Sequence, residues 1–360
     1  MRSLFASLAH TFSMTPKERF TAALEMRTAD RLPLFYQHLG GAKWVAASCG
    51  RRIRDGYSDP EAFAEISMAA QRLFGFDNVM ASWGDILIEA HAHGTQWRFP
   101  ERDFYPRPLK YAIEGPGDVD KIRPVDPMDD ECWSIQLKGA KIMNDRIGKE
   151  IEVVACIDSP FVIASEVMGY EKLMMALLSS PSDVEKLVAT LTESSKAYAE
   201  RAASYAGMNS IFIENGMAGG EMVRLPMCER FDLAYVKKMV DHCRSLGLKT
   251  IIHNCAAKPY LGAQAEMRPD CLHFNNKYVD LRGTFDSLRG RLCVMSGIDH
   301  MELMFTGSPE EVEAETKRVI ELYGDSPGLI LAPGCEMPFK VPVENVLRLK
   351  QAAETYGRQQ

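Results

Sequence analysis

The sequence predicts an α/β chain closed as a (β/α)8 TIM barrel, and three observations carry that prediction. Eight short apolar runs rich in β-branched residues punctuate the chain, at 32–36, 78–82, 151–157, 210–214, 249–253, 271–274, 292–296 and 328–332. A helical segment follows each run, and such alternation favours a parallel sheet wrapped by helices. The runs are nearly continuous in hydrophobicity, as parallel strands covered on both faces must be. A length of 360 residues suits one barrel with an insertion.

The elements follow in order. Residues 1–13 are expected to be a loose N-terminal extension, and 14–360 a single barrel domain. Thr15-Pro-Lys-Glu18 reads as a capping box with proline at the first helical position, and the same grammar recurs at Ser58-Asp-Pro-Glu61 and Ser308-Pro-Glu-Glu311. The second and third runs lie unusually far apart. Between them, 86–100 and 109–113 partly alternate, which predicts an inserted antiparallel hairpin beside the barrel mouth, with a helix over 133–147.

Composition excludes several functions. The chain is 46% hydrophobic and 25% charged, the balance of an ordinary packed protein. A formal net charge of −7 leaves no basic field for nucleic acid, and no apolar run is long enough to span a membrane. The nine cysteines, an odd number, are scattered through strand-like and helical segments, which fits a reducing, cytoplasmic compartment better than a disulfide framework. Neither a phosphate-binding glycine loop nor a Gly-x-Ser-x-Gly elbow is present.

Barrel chemistry collects at the C-terminal ends of the strands. Those ends carry Gln37 and His38, Trp83 and Asp85, Asp158 and Ser159, Glu214 and Asn215, His253 and Cys255, Asn275 and Asn276, Asp299, and Cys335. In an extended chain His253 and Cys255 point to the same side. Cys335 sits in Ala-Pro-Gly-Cys-Glu, where Gly334 is expected to let the backbone turn sharply. One imidazole and two thiols make three ligands of a tetrahedral zinc site with one position open. An equally economical reading makes both cysteines small core residues and His253 a hydrogen-bonded core imidazole. The pair His91 and His93 falls in the insertion, with no thiol or carboxylate at obvious spacing, and reads as a solvent-facing strand edge.

The motifs resemble those of the uroporphyrinogen decarboxylase superfamily. Met14-Thr-Pro-Lys-Glu-Arg-Phe-Thr-Ala-Ala-Leu-Glu followed by Asp30-Arg-Leu-Pro resembles its opening, and Asp158-Ser-Pro-Phe-Val-Ile-Ala-Ser-Glu-Val-Met-Gly169 its Gly-Pro-Phe-Thr segment. The likeness runs from about Met14 to Tyr356 and implies the same barrel. Decarboxylases of the superfamily carry an arginine-rich stretch after the first strand. Here Tyr36-Gln-His-Leu-Gly-Gly-Ala stands there, with no arginine until Arg51. His253, Cys255 and Cys335 instead match the zinc motif of the corrinoid-dependent branch, which includes methylcobamide:coenzyme M methyltransferases. Asn254 and Ala256 depart from that branch's His-Ile-Cys-Gly, and Ile213-Glu-Asn-Gly-Met-Ala-Gly-Gly from its fourth-strand ending.

The resemblance implies zinc bound by His253, Cys255 and Cys335, and cobalamin as the methyl carrier. The methyl group then moves between that corrinoid and a small thiol or a methylated substrate, as in a demethylation pathway. Glu214 and His38 are the expected catalytic residues, with Asn275, Asn276 and Asp299 expected to position the cofactor. No Asp-x-His-x-x-Gly corrinoid motif is present, so the corrinoid is expected on a partner protein or free. Two other readings stand beside this one: a metal-independent decarboxylase, and a scaffold that binds a corrinoid protein without turnover.

Overall fold

The computed structural model describes residues 13–38, 42–82 and 87–359. Nine strands are present: β1 (Asn78–Ala81), β2 (Gln96–Arg98), β3 (Arg107–Lys110), β4 (Glu152–Asp158), β5 (Ser210–Glu214), β6 (Lys249–Asn254), β7 (Cys271–Phe274), β8 (Cys293–Ile298) and β9 (Leu329–Pro333). Seven of them form one parallel sheet in the order β1-β4-β5-β6-β7-β8-β9, with helices between successive strands. Every residue of β4, β8 and β9 is buried, the expected state of a strand with barrel interior on one face and helices on the other. The architecture is the barrel-like α/β fold that the alternation predicts.

The first predicted strand is the exception. Residues 32–36 lie in the seam between β9 and β1, with a single parallel bridge between Leu34 and Leu331. Phe35 N–H donates to Leu331 O at 3.0 Å, and Leu331 N–H to Pro33 O at 2.9 Å. Pro33 has no N–H of its own to extend the ladder. Toward β1, one main-chain bond, Asp77 N–H to Leu34 O at 2.9 Å, is supplemented by side chains: Leu34 N–H donates to Asp77 Oδ2 (2.7 Å) and Tyr36 N–H to Asn78 Oδ1 (3.1 Å). Asn78 Nδ2 returns a bond to Tyr36 O at 3.0 Å.

Capping follows the sequence at two of three positions. Thr15 and Ser308 form full capping boxes with Glu18 and Glu311. At the third, the helix Pro60–Phe74 is capped by Asp59, which accepts from Glu61 N–H, and not by Ser58. The insertion contains the β2–β3 antiparallel hairpin and a helix, Glu131–Ile147. Its first part is a short helix, Ile88–Ala92, where a strand edge was expected. Ile88, Glu89 and Ala90 are buried in succession, a pattern that no one-sided strand shows. Trp83 and Asp85, and residues 1–12 of the expected extension, lie outside the described residues. Among the described residues, no helix is long and apolar enough to cross a membrane.

The helix Pro16–Leu24 closes the base of the barrel. From it rises an aromatic column: Phe20 on Phe35 (6.2 Å between centroids), Phe35 on Phe212 (5.6 Å) and Phe212 on His253 (5.4 Å). Arg19 on the same helix is buried and binds Asp30 at 2.6 Å and Asp77 at 2.5 Å. Asp77 also binds Arg31, at 2.9 Å. Removing the carboxylate leaves the buried Arg19 with Asp30 alone as its counter-charge and the Leu34 amide without its acceptor, so Asp77→Ala should cost on the order of 2–3 kcal/mol. A lowered urea midpoint at neutral pH checks this.

Candidate metal centre and active site

Parallel register builds the site. Asp158 pairs with Glu214, Glu214 with His253, and His253 with His273, so one rung crosses four neighbouring strands. In-register residues of a parallel sheet share a face. His253 Nε2 lies 3.8 Å from Cys335 Sγ and 3.8 Å from Glu214 Oε2. The ligand atoms of His253, Cys255 and Cys335 all fall within 4.8 Å of one another. A tetrahedral zinc with bonds of roughly 2.0–2.3 Å separates its ligand atoms by about 3.5–3.8 Å. The donor set and its spacing therefore fit a soft divalent ion.

The thiols are prepared unequally. The Cys335 thiol donates to Cys255, and the His253 imidazole adds attraction, so together they hold Cys255 well below the ordinary thiol value despite burial. Cys335 is pushed up by the same hydrogen bond and by burial. Burial opposes ionisation of Glu214, but His38, His253 and Gln37 outweigh it and hold the carboxyl at about 2. His38 donates through Nε2 to Glu214 Oε1, and Gln37 Nε2 lies 3.2 Å from the same oxygen. His38 Nδ1 is buried without a partner among the described residues.

A second layer of polar residues holds the Cys255 turn. Asn254 donates through Nδ2 to Ala218 O (2.8 Å) and Gln264 Oε1 (3.0 Å), and its Oδ1 accepts from Ala256 N–H at 2.9 Å. Gln264 donates to Asn215 Oδ1 at 2.6 Å, and Asn215 to Asp232 Oδ2 at 2.7 Å. Asp232 is carried by a π-helical turn, Glu229–Leu233. Asn254, a departure in the His-x-Cys motif, is therefore the residue that fixes the backbone on either side of the ligand.

Gly334 acts differently from expectation. Its φ is not positive, and a Cβ there would stand 2.7 Å from Asn275 Cα. Glycine is needed for close approach of two loops. Asn275 and Asp299 spend side-chain oxygens on their own loops: Asn275 Oδ1 accepts from Lys277 N–H at 3.0 Å, and Asp299 Oδ1 from Met301 N–H at 2.9 Å. Asn276 donates to Gly297 O at 3.2 Å.

Several site residues carry no clear signal in the sequence. His273 packs against His253 at 4.6 Å and donates through Nε2 to Pro333 O at 2.9 Å; burial and the nearby His253 keep it neutral. Glu89, on the inserted helix Ile88–Ala92, accepts from Asp158 N–H at 3.2 Å. Burial pushes its carboxyl up to about 7, and the Glu214 charge adds to that. Glu336, next to Cys335, accepts from Tyr105 Oη–H at 2.9 Å and is likewise pushed by burial to about 7. Cys156 lies 3.9 Å from Glu214, and burial and that carboxylate keep it protonated.

A second triad stands in the insertion. His91, Asp130 and Cys132 place ligand atoms within 4.8 Å of one another, although His91 and the other two are distant in sequence. The thiol and carboxylate that the sequence did not pair with His91 are thus beside it. His91 stacks on Trp97 at 4.1 Å, while His93 is buried and meets Ser194 Oγ at 2.9 Å.

Residues 15–356 match the uroporphyrinogen decarboxylase (URO-D) family. The chain belongs to that family. Among curated URO-D relatives, the methylcobamide:CoM methyltransferase MtbA of Methanosarcina mazei is 27% identical over 346 residues, covering 95% of this chain and 98% of that protein. The methylcobamide:CoM methyltransferase MtaA of Methanosarcina barkeri is 22% identical over 344 residues, with coverage of 95% and 98%. A solved methyltransferase from Methanosarcina mazei superposes with a TM-score of 0.86 at 21% identity, covering 95% of this chain and 99% of that one. That superposition agrees with the barrel-like α/β fold described above.

Two outcomes follow from this geometry. Asn254→Ala should weaken metal binding by about 10–100-fold while leaving the far-ultraviolet circular dichroism unchanged, because the Cys255 turn loses its side-chain ties. Metal titration with a competing chelator measures it. Glu89 binds a proton in the fold up to about pH 7, whereas an unfolded glutamate releases it near pH 4. Its contribution is therefore complete below about pH 4, falls as pH rises to about 7, and is lost above that. Glu89→Gln should gain stability relative to wild type on going from pH 5 to pH 8, on the order of 2 kcal/mol. Urea midpoints at the two pH values decide.

Proposed function

We infer that this URO-D protein is a corrinoid-dependent methyltransferase whose zinc is held by His253, Cys255 and Cys335. The observation that carries the reading is the convergence of one imidazole and two thiols from two distant strand ends, within 4.8 Å of one another. The relatives named as methylcobamide:CoM methyltransferases, matched along nearly their whole length, support it. Bound zinc supplies Lewis acidity that keeps a sulfur ligand as thiolate at neutral pH and polarises a methylated heteroatom.

The residues divide the remaining work. Cys255 and Cys335, as thiolates, reduce the charge of the centre and so preserve the nucleophilicity of a third sulfur. Glu214, held ionised, orients His38 through Nε2 and leaves Nδ1 to take or return the proton of the substrate thiol. Asn276 and the loop ends at Asn275 and Asp299 shape the mouth on the side where a corrinoid would approach. The corrinoid comes on a partner protein or free, and a cytoplasmic setting suits the reduced thiols. Porphyrinogen decarboxylation fits the centre less well: its polycarboxylate substrate needs cations, and Arg19, the one Arg or Lys buried among the described residues, lies at the opposite end of the barrel.

Purified protein should contain about one zinc per chain. Cys335→Ser should lose most of it and slow methyl transfer from methylcobalamin to a thiol by at least about 100-fold, followed by corrinoid absorbance. Equal zinc content and equal turnover in both proteins would make Cys335 a core residue and defeat the assignment.

A further inference from the structure

The charge around the His38–Glu214 pair is one-sided. Four carboxyl groups face this region: Asp158, Glu214, Glu89 from the insertion and Glu336 from the last loop. Asp158 and Glu214 share a rung, Glu89 binds the Asp158 amide at 3.2 Å, and Glu336 is held by Tyr105 at 2.9 Å. His38 is bonded to Glu214 itself, Glu214 stands beside Asp158 on the rung that Glu89 reaches, and Glu336 adjoins Cys335, which lies 3.8 Å from His253. Among the described residues, Glu214 forms ion pairs only with His38 and His253, and no Lys or Arg pairs with Glu89, Glu214 or Glu336. Lys277, whose charge reaches His300, is exposed and already paired with Glu302 at 2.6 Å.

We propose that the small-molecule substrate of this centre carries no anionic group, being instead a neutral or cationic compound with an N–H or O–H donor that meets Glu89 and Glu336. The proposal rests on the methyltransferase reading and narrows its substrate class. A thioalkyl sulfonate such as coenzyme M would bring a fixed negative charge beside these carboxyl groups, with which no guanidinium or ammonium is paired among the described residues. Like charges brought together in a desolvated site are strongly disfavoured. A hydroxyl or ammonium donor instead finds two acceptors whose own partners, the Asp158 amide and the Tyr105 hydroxyl, leave oxygens to spare.

The test uses the zinc-loaded protein and thiols that differ only at the far end: mercaptoethanesulfonate, its neutral sulfonamide, and cysteamine. Dissociation constants come from calorimetry, and methylation from methylcobalamin is followed separately. The sulfonamide and cysteamine should bind at least about tenfold more tightly than the sulfonate. In the Glu89→Gln, Glu336→Gln double variant, cysteamine should lose most of its advantage. A sulfonate that binds as tightly as its sulfonamide overturns the proposal and leaves methyl transfer standing. The expected binding order without methylation of any thiol would refute the transfer reading alone.

Discussion

Four parallel strands in strict register determine almost everything at the mouth of this barrel. Because Asp158, Glu214, His253 and His273 occupy one rung, a carboxylate and two imidazoles are delivered side by side without help from loops. Shifting any of these strands by one residue would turn its member of the rung to the opposite face. The two sulfurs are added at the ends of β6 and β9, where the chain has just left the sheet. The rung sets the direction of His253, and the aromatic column of Phe20, Phe35 and Phe212 beneath it keeps the ring from tilting away. The geometry of the candidate metal centre is therefore a property of the sheet before it is a property of the two cysteines.

The sequence made the strand ends readable because each apolar run stops abruptly at a polar residue. His253, Cys255, Cys335, Glu214 and His38 all stand at such stops, and the structure gathers them. Glu89 and Glu336 were not readable in this way. Glu89 belongs to an insertion whose path over the barrel no periodicity encodes, and Glu336 looks like any charge in a loop until Tyr105 closes on it. The same limit hid the proximity of His91 to Asp130 and Cys132, which depends on how the inserted helix meets the helix Glu131–Ile147. Local grammar misled at smaller scale too. Ser58 and Asp59 are both good caps, and only the backbone conformation at Asp59 selects between them.

The polar chain behind Cys255 shows how the candidate metal centre accommodates Asn at position 254. An apolar residue at position 254 would fill the space by packing, whereas Asn254 fills it with three hydrogen bonds in a network ending at Asp232. Such networks hold geometry well when every member is satisfied. The presence of Gln264 and Asn215 as its direct continuation shows that the change at 254 is matched by its surroundings.

The seam at residues 32–36 has a mechanical meaning. Elsewhere each strand is fastened to its neighbours by main-chain bonds repeated along its length, so separation must break many at once. Here one main-chain bond, Asp77 N–H to Leu34 O, faces β1, the amides of Leu34 and Tyr36 hang from the side chains of Asp77 and Asn78, and β9 grips the segment around one bridge. Hydrogen–deuterium exchange reports such places as early openings, because few bonds break together. The segment leads directly into His38. Of all the groups at the mouth, it is the imidazole beside Glu214 that rides on the least cooperative part of the wall.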